Sequence, residues 1–291
     1  QTDEGTWIWH HLTPDGKSIV FELLGDLYRL PITGGEAIRV TDGAPYDAQP
    51  RVSPDGQWIA FISDRSGSDN LWIAKIDGTD PRKLSSESQS AVISPAWTPD
   101  SQYVIASIRG TGTQLRMFHI NGGSGIALAG AAPEGGRGGA PGGGAAGPAR
   151  LRASVSPDGR FTYVSQAGNR TGLSRWQVAR FDMRSGEADV ITQAEGGGMR
   201  PLVSPDGKLV VYATRYETKT GLRVRNLETG ADRWLKWPID RDEQESGGTP
   251  SRDTLPGYAF MPDGKEIVIA NAGKIERINV ENGAETPVPF R

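Results

Sequence analysis

Six near-copies of one turn punctuate this chain. Thr13-Pro14-Asp15-Gly16, Ser53-Pro54-Asp55-Gly56, Ser156-Pro157-Asp158-Gly159 and Ser204-Pro205-Asp206-Gly207 are full copies, and Thr98-Pro99-Asp100-Ser101 and Met261-Pro262-Asp263-Gly264 are weaker ones. Proline presets φ at the first central position, Asp suits the second, and Gly accepts the positive φ that follows. Each copy therefore predicts a tight hairpin. The prolines at 14, 54, 99, 157, 205 and 262 are separated by 40, 45, 58, 48 and 57 residues, a four-stranded-blade length once loops are counted.

An apolar, β-rich run follows every turn: Ser18-Ile19-Val20-Phe21, Trp58-Ile59-Ala60-Phe61, Tyr103-Val104-Ile105-Ala106, Phe161-Thr162-Tyr163-Val164, Leu209-Val210-Val211-Tyr212 and Glu266-Ile267-Val268-Ile269. Near-continuous apolarity suits a strand covered on both faces. Leu27, Leu71, Leu115, Val178, Leu222 and Ile275 mark a third strand, and dipeptides such as Gly34-Gly35, Asp77-Gly78 and Asn282-Gly283 turn it into a fourth. The expected fold is all-β, a six-bladed β-propeller of four-stranded antiparallel blades. Its blades fall at 5–42, 46–86, 93–130, 151–193, 199–237 and 256–290 of a single domain, 1–291, with a flexible Gly-rich loop at 130–150. No strand is left over to clasp the ring, so closure is expected from packing of blade one on blade six.

Composition excludes several classes of function. Lys and Arg number 32 against 35 Asp and Glu, a net charge of −3, which gives no concentrated basic surface for nucleic acid. The absence of cysteine removes disulfides, zinc–thiolate sites and Cys nucleophiles. No apolar run reaches the roughly 20 residues of a membrane span, so no membrane insertion is expected.

The chain lacks the patterns that catalytic chemistry needs. Its histidines are His10, His11 and His119, and neighbours on a regular strand point to opposite faces, so His10 and His11 do not converge on one ion. Gly122-Gly123-Ser124-Gly125-Ile126 lacks the last Gly of a nucleophile elbow. Gly16-Lys17-Ser18 lacks the leading Gly of a phosphate loop, since His11 occupies that place. Gly142 to Gly147 matches a dinucleotide fingerprint in form, but inside a low-complexity tract with no strand–helix context. Asp64 to Asn70 lacks calcium-loop spacing. No catalytic residue, metal site or cofactor is expected.

The six turns, with Trp58-Ile59-Ala60-Phe61-Ile62-Ser63-Asp64-Arg65-Ser66-Gly67 and Asn70-Leu71-Trp72-Ile73, resemble TolB-type propeller repeats. The segments Gly25 to Ile32, Tyr46 to Arg51, Asp240 to Glu245 and Pro256 to Phe260 look most like the propeller that precedes a metal-dependent amidohydrolase barrel in bacterial two-domain hydrolases. That resemblance implies a non-catalytic module, acting as scaffold, interdomain interface or substrate gate of such a hydrolase. Its partner would be a catalytic barrel domain or another protein, and its location periplasmic or secreted. Gln1 is read as a mature end exposed by processing, and Arg291 as the point where the barrel would begin. Two alternatives stay open: a free-standing periplasmic protein-binding propeller, and a channel-centred metal-dependent hydrolase.

Blade geometry divides the connections between two faces. The first-to-second and third-to-fourth turns share one face of the disc, and the remaining connections share the other. The long segments 85–94, 129–150, 166–175, 216–221 and 237–256 fall in the second set, which makes that face the expected binding face. Arg65, Asp69, Arg170, Trp176, Arg200, Asp240, Arg241 and Asp242 are its candidate recognition residues. With the first strand innermost, Asp47, Gln49 and Arg51 are expected to line the channel.

Overall fold

The computed structural model describes residues 2–5, 8–87, 91–109, 113–128, 150–167, 176–240, 253 and 255–291. Blade one holds β1 (His10–Leu12), β2 (Ser18–Leu23), β3 (Asp26–Pro31) and β4 (Ile38–Arg39). Blade two holds β5 (Asp47–Val52), β6 (Trp58–Ser63), β7 (Asn70–Lys75) and β8 (Arg82–Lys83), and blade three β9 (Ala91–Trp97), β10 (Tyr103–Arg109), β11 (Thr113–His119) and β12 (Ile126–Ala127). Blade four holds β13 (Arg150–Val155), β14 (Phe161–Ala167), β15 (Trp176–Asp182) and β16 (Ala188–Val190). Blade five follows with β17 (Met199–Val203), β18 (Leu209–Tyr216), β19 (Lys219–Asn226) and β20 (Asp232–Ile239), and blade six with β21 (Tyr258–Phe260), β22 (Glu266–Asn271), β23 (Lys274–Asn279) and β24 (Glu285–Val288). Each blade is an antiparallel sheet in simple sequence order. The chain is a six-bladed, all-β propeller.

The repeated turn earns its residues one by one. In blade four, Ser156 Oγ donates to Asp158 Oδ1 at 2.5 Å and accepts from the Phe161 N–H at 2.9 Å, while Asp158 Oδ1 also accepts from the Arg160 N–H at 3.0 Å. The same pattern recurs around Thr13, Ser53, Thr98 and Ser204. Met261 has no hydroxyl, and its turn keeps only the Asp263 bond to the Lys265 N–H. The closing glycines have φ of 68° to 73°, as the turn requires. Each packs on the proline of the preceding blade: Gly56 on Pro14, Gly159 on Pro99, Gly207 on Pro157, Gly264 on Pro205 and Gly16 on Pro262. In blade three Ser101 takes the same left-handed conformation, φ 59°, and its hydroxyl accepts from the Asp55 N–H of blade two at 3.1 Å.

Second strands alternate their allegiance between two interfaces, which explains their unbroken apolarity. Ile59 and Phe61 pack toward Val20 and Leu27 of blade one, whereas Ala60 and Ile62 pack toward Val92 and Val104 of blade three. Likewise Val210 and Tyr212 join Tyr163 and Val178, and Val211 and Ala213 join Tyr258 and Ile267. Every blade-to-blade junction carries one such cluster. The ring closes in the same way: Ile8, Ile19 and Phe21 of blade one pack on Val268 and Ile275 of blade six.

No fourth strand is borrowed from the other terminus. A short seam does form beside the cluster, where Gly35 N–H donates to Pro289 O at 2.9 Å and Arg291 N–H to Gly35 O at 3.1 Å. Phe290 sits against Phe21 with ring centroids 5.3 Å apart.

Two expected long segments are shorter than anticipated. Residues 216–221 belong largely to β18 and β19, joined at Glu217-Thr218 with Glu217 at φ 55°, and Ala91 to Ser94 already lie in β9. Tyr216 pairs with Lys219 and Ala91 with Arg109, so strand pairing replaces loop in both. The Gly-rich stretch lies outside the described residues except at Arg150.

Candidate functional site: the central channel

The six first strands surround a cavity of about 400 Å³. Residues immediately before each turn, namely Leu12, Val52, Trp97, Val155, Val203 and Phe260, form an apolar collar near the face that carries the turns. Pro14, Pro54, Pro205 and Pro262 of the turns line it further out. Deeper in the channel the lining changes to Arg51, Arg152, Arg200 and Asp253.

A bulge in the first strand builds this deeper layer. Registers shift in β5, β9, β13 and β17. At the same repeat position, four residues before the Ser or Thr of the turn, Gln49, Ser94, Arg152 and Arg200 all have positive φ, between 49° and 62°. A bulge frees a backbone N–H, which needs a new partner when buried. Glu22, Ser107 and Ser165, from the second strand of the preceding blade, accept from Gln49, Arg152 and Arg200 respectively. Blade two has Ile62 at that place, and the Ser94 N–H turns instead to Gln49 Oε1 at 2.7 Å.

Asp253 joins three of these strands. It pairs with the Arg152 guanidinium, lies 3.6 Å from Arg200 Nε, and accepts from Ser94 Oγ at 2.7 Å. Burial alone would raise its carboxyl, but the charges of Arg152 and Arg200 and the bonds it accepts hold it below the usual carboxylate range. Arg200 is sandwiched between Trp9 and Tyr258, its guanidinium 4.3 Å from each ring centroid, and donates to Pro256 O at 2.6 Å. The Tyr258 hydroxyl donates back to Arg200 O.

Arg51 differs from the other two. Its Nη1 donates only to the backbone, to His10 O at 3.3 Å and Pro50 O at 3.0 Å, and its guanidinium lies 5.6 Å from the Trp9 ring centroid. Burial and the Arg200 charge push it down to about 9. The adjacent histidines are kept neutral. Burial pushes His10 and His11 down to about 3; His10 Nε2 is 3.2 Å from Val268 O, and His11 Nδ1 accepts from the Val52 N–H at 3.2 Å.

The remaining candidates take varied places. Asp47 does not reach the cavity; it accepts from Arg65 Nη2 at 2.6 Å, and Arg65 stacks between Phe61 and Trp72, 5.3 Å from each ring centroid. Gln49 bridges two first strands. Asp69 is half-buried, and burial with the nearby Asp64 raises its carboxyl. Trp176 packs against the cluster between blades five and six, its ring 5.9 Å from the Arg152 guanidinium. Asp240 accepts from the Ala272 N–H at 2.9 and 3.0 Å, tying the exit of blade five to blade six. Arg170, Arg241 and Asp242 lie outside the described residues.

Known proteins give this geometry its relatives. Residues 10–140 match the family model described as the Tricorn protease N-terminal beta propeller domain. The chain shares its propeller fold with TolB structures. A putative TolB from Agrobacterium tumefaciens superposes with a TM-score of 0.65 at 21% identity, covering 91% of this chain and 87% of that one. An oligogalacturonate lyase in complex with manganese superposes at 0.60 with 12% identity, covering 98% and 77%. In sequence, an uncharacterized protein of Agrobacterium fabrum is 35% identical over 80 residues, 26% of this chain and 27% of that protein. Tricorn protease homolog 1 of Streptomyces coelicolor is 29% identical over 106 residues, 36% of this chain and 10% of that protein. The chain thus spans only about a quarter and a tenth of these relatives' lengths.

One surface feature escaped the sequence reading. The fourth strand of blade five, β20, has eight residues, against two to four in the other blades. It carries Trp234 and Trp237, which meet Tyr216 edge-on at 6.2 Å, and all three rings remain exposed.

Proposed function

We propose that this propeller is a non-catalytic recognition module, acting as scaffold, interdomain interface or substrate gate beside a hydrolase. The observation that carries the reading is the make-up of the channel. Its charged side chains among the described lining residues are three guanidiniums and one carboxylate locked between two of them, and its lining histidine, His11, is neutral. Such a wall binds and orients, but its carboxylate is paired and its unprotonated imidazole is too weakly basic to take up a proton near neutral pH. Among the described residues no three metal-ligating side chains converge. The aromatic cluster on β20 supports a docking role, since exposed Trp and Tyr rings are favoured anchors for a partner surface. A periplasmic or secreted setting accompanies this reading, on the likeness to TolB-type repeats.

Two measurements test it. The purified chain is assayed on amide, ester and oligogalacturonate substrates, with zinc or manganese and with chelator, and no turnover is expected. Turnover abolished by chelation and restored by metal would overturn the reading. The reading frame beyond codon 291 supplies the second: a barrel with His-x-His supports a hydrolase partner in the same protein, and an immediate stop supports a free-standing binding propeller.

A further inference from the structure

The channel has two layers of opposite character. The collar is apolar, with Trp97, Phe260 and four aliphatic side chains facing one space. Among the described residues, the layer below it carries three positive groups against one negative group. Glu22, the other carboxylate near Arg51, stands behind the wall and is engaged by the Gln49 N–H. Among the described residues Arg152 and Arg200 share Asp253, so the cation outside an ion pair is Arg51, held by two backbone carbonyls and the nearby Trp9 ring.

Arg51 is half-buried, and a charge withdrawn from water without a counter-charge is costly, so proteins keep one where a ligand completes the pairing. Left-handed backbone at four non-glycine residues of this same layer adds strain, of the kind that collects at binding sites. We infer that the channel binds a small organic monoanion, a carboxylate on an apolar body, with the carboxylate against Arg51 and the body inside the collar. A cavity of about 400 Å³ admits a ligand of that size. Entry is from the face of the repeated turns, whose prolines rim the collar. The neutral histidines add no competing charge, and Asp253 repels a second carboxylate, which selects monoanions over dianions. The inference rests on the reading of the channel as a recognition surface.

Calorimetric titration of the purified chain with phenylacetate and with phenylacetamide tests it. Phenylacetate is expected to bind about tenfold tighter than the amide, the worth of one charge-assisted pairing. Its affinity should fall with rising salt while the amide's does not. Arg51→Gln should abolish the preference and Arg51→Lys retain part of it. Equal affinities for acid and amide, no binding of either, or a preference unchanged in Arg51→Gln would overturn the inference. Release of ammonia from phenylacetamide during the titration would instead overturn the non-catalytic reading beneath it. The salt series needs no variant, so the outcome does not depend on a substituted chain folding.

Discussion

The Ser94 hydroxyl donates to Asp253 Oδ2 across 2.7 Å although 159 positions separate the two residues. Asp253 thereby reaches blade three as well as Arg152 of blade four and Arg200 of blade five. One carboxylate at the end of a connection fastens three blades to the channel. Removing it leaves two buried guanidiniums without a counter-charge. Asp253→Ala should cost about 3–5 kcal/mol, read as a lower urea midpoint. A change under about 1 kcal/mol would show the ion pair to be dispensable.

The turn ring gives a sharper contrast. Gly207 stands at φ 72° against Pro157, whereas Ser101 already holds the left-handed conformation with a side chain. Gly207→Ala is expected to lose about 1–2 kcal/mol in denaturant unfolding. Ser101→Gly should be nearly neutral, because relief of the left-handed strain at φ 59° offsets the lost hydroxyl bond to Asp55. Equal losses for the two substitutions would contradict the role assigned to Gly.

His10 and His11 set an acid window. Both are lowered from 6.5 to about 3 in the fold, so between these values the unfolded chain binds more protons than the folded one. Stability must then rise with pH across that interval, and fall as pH drops from about 6.5 toward 3. Thermal melts should show this slope, and His10→Gln should flatten it. Below the window the turn carboxylates take over. Hydroxyl bonds from Thr13, Thr98, Ser156 and Ser204 lower Asp15, Asp100, Asp158 and Asp206, so their stabilisation is present above the ordinary carboxylate range and is lost on further acidification.

Ring closure depends on one aromatic contact more than on the seam. Phe290 is buried against Phe21 in the cluster joining blades one and six. Phe290→Ala should destabilise by about 3 kcal/mol or more. Loss confined to the seam's hydrogen bonds would cost about 1 kcal/mol each. Hydrogen exchange at Gly35 and Ala37 separates the two effects.

The fold was legible because its determinants are local. Ser-Pro-Asp-Gly encodes its own hydrogen bonds, and the alternation of Ile59, Ala60, Phe61 and Ile62 between two interfaces produces a visible apolar run. The channel was only partly legible. Arg51 stood out on the first strand, yet Arg152 and Arg200 shared a repeat position with Gln49 and Ser94 that an alignment of the six turns would have exposed. Asp253 belongs to no repeat, so no periodicity could place it. The aromatic cluster was hidden because bulges between β19 and β20 break the alternation around Trp234 and Trp237.

A crystal structure of the chain soaked in phenylacetate tests the central claim most directly. The account predicts the carboxylate in hydrogen-bond contact with the Arg51 guanidinium and the ring among Val52, Trp97 and Phe260. Phenylacetate bound elsewhere while the channel stays free of it would contradict the account.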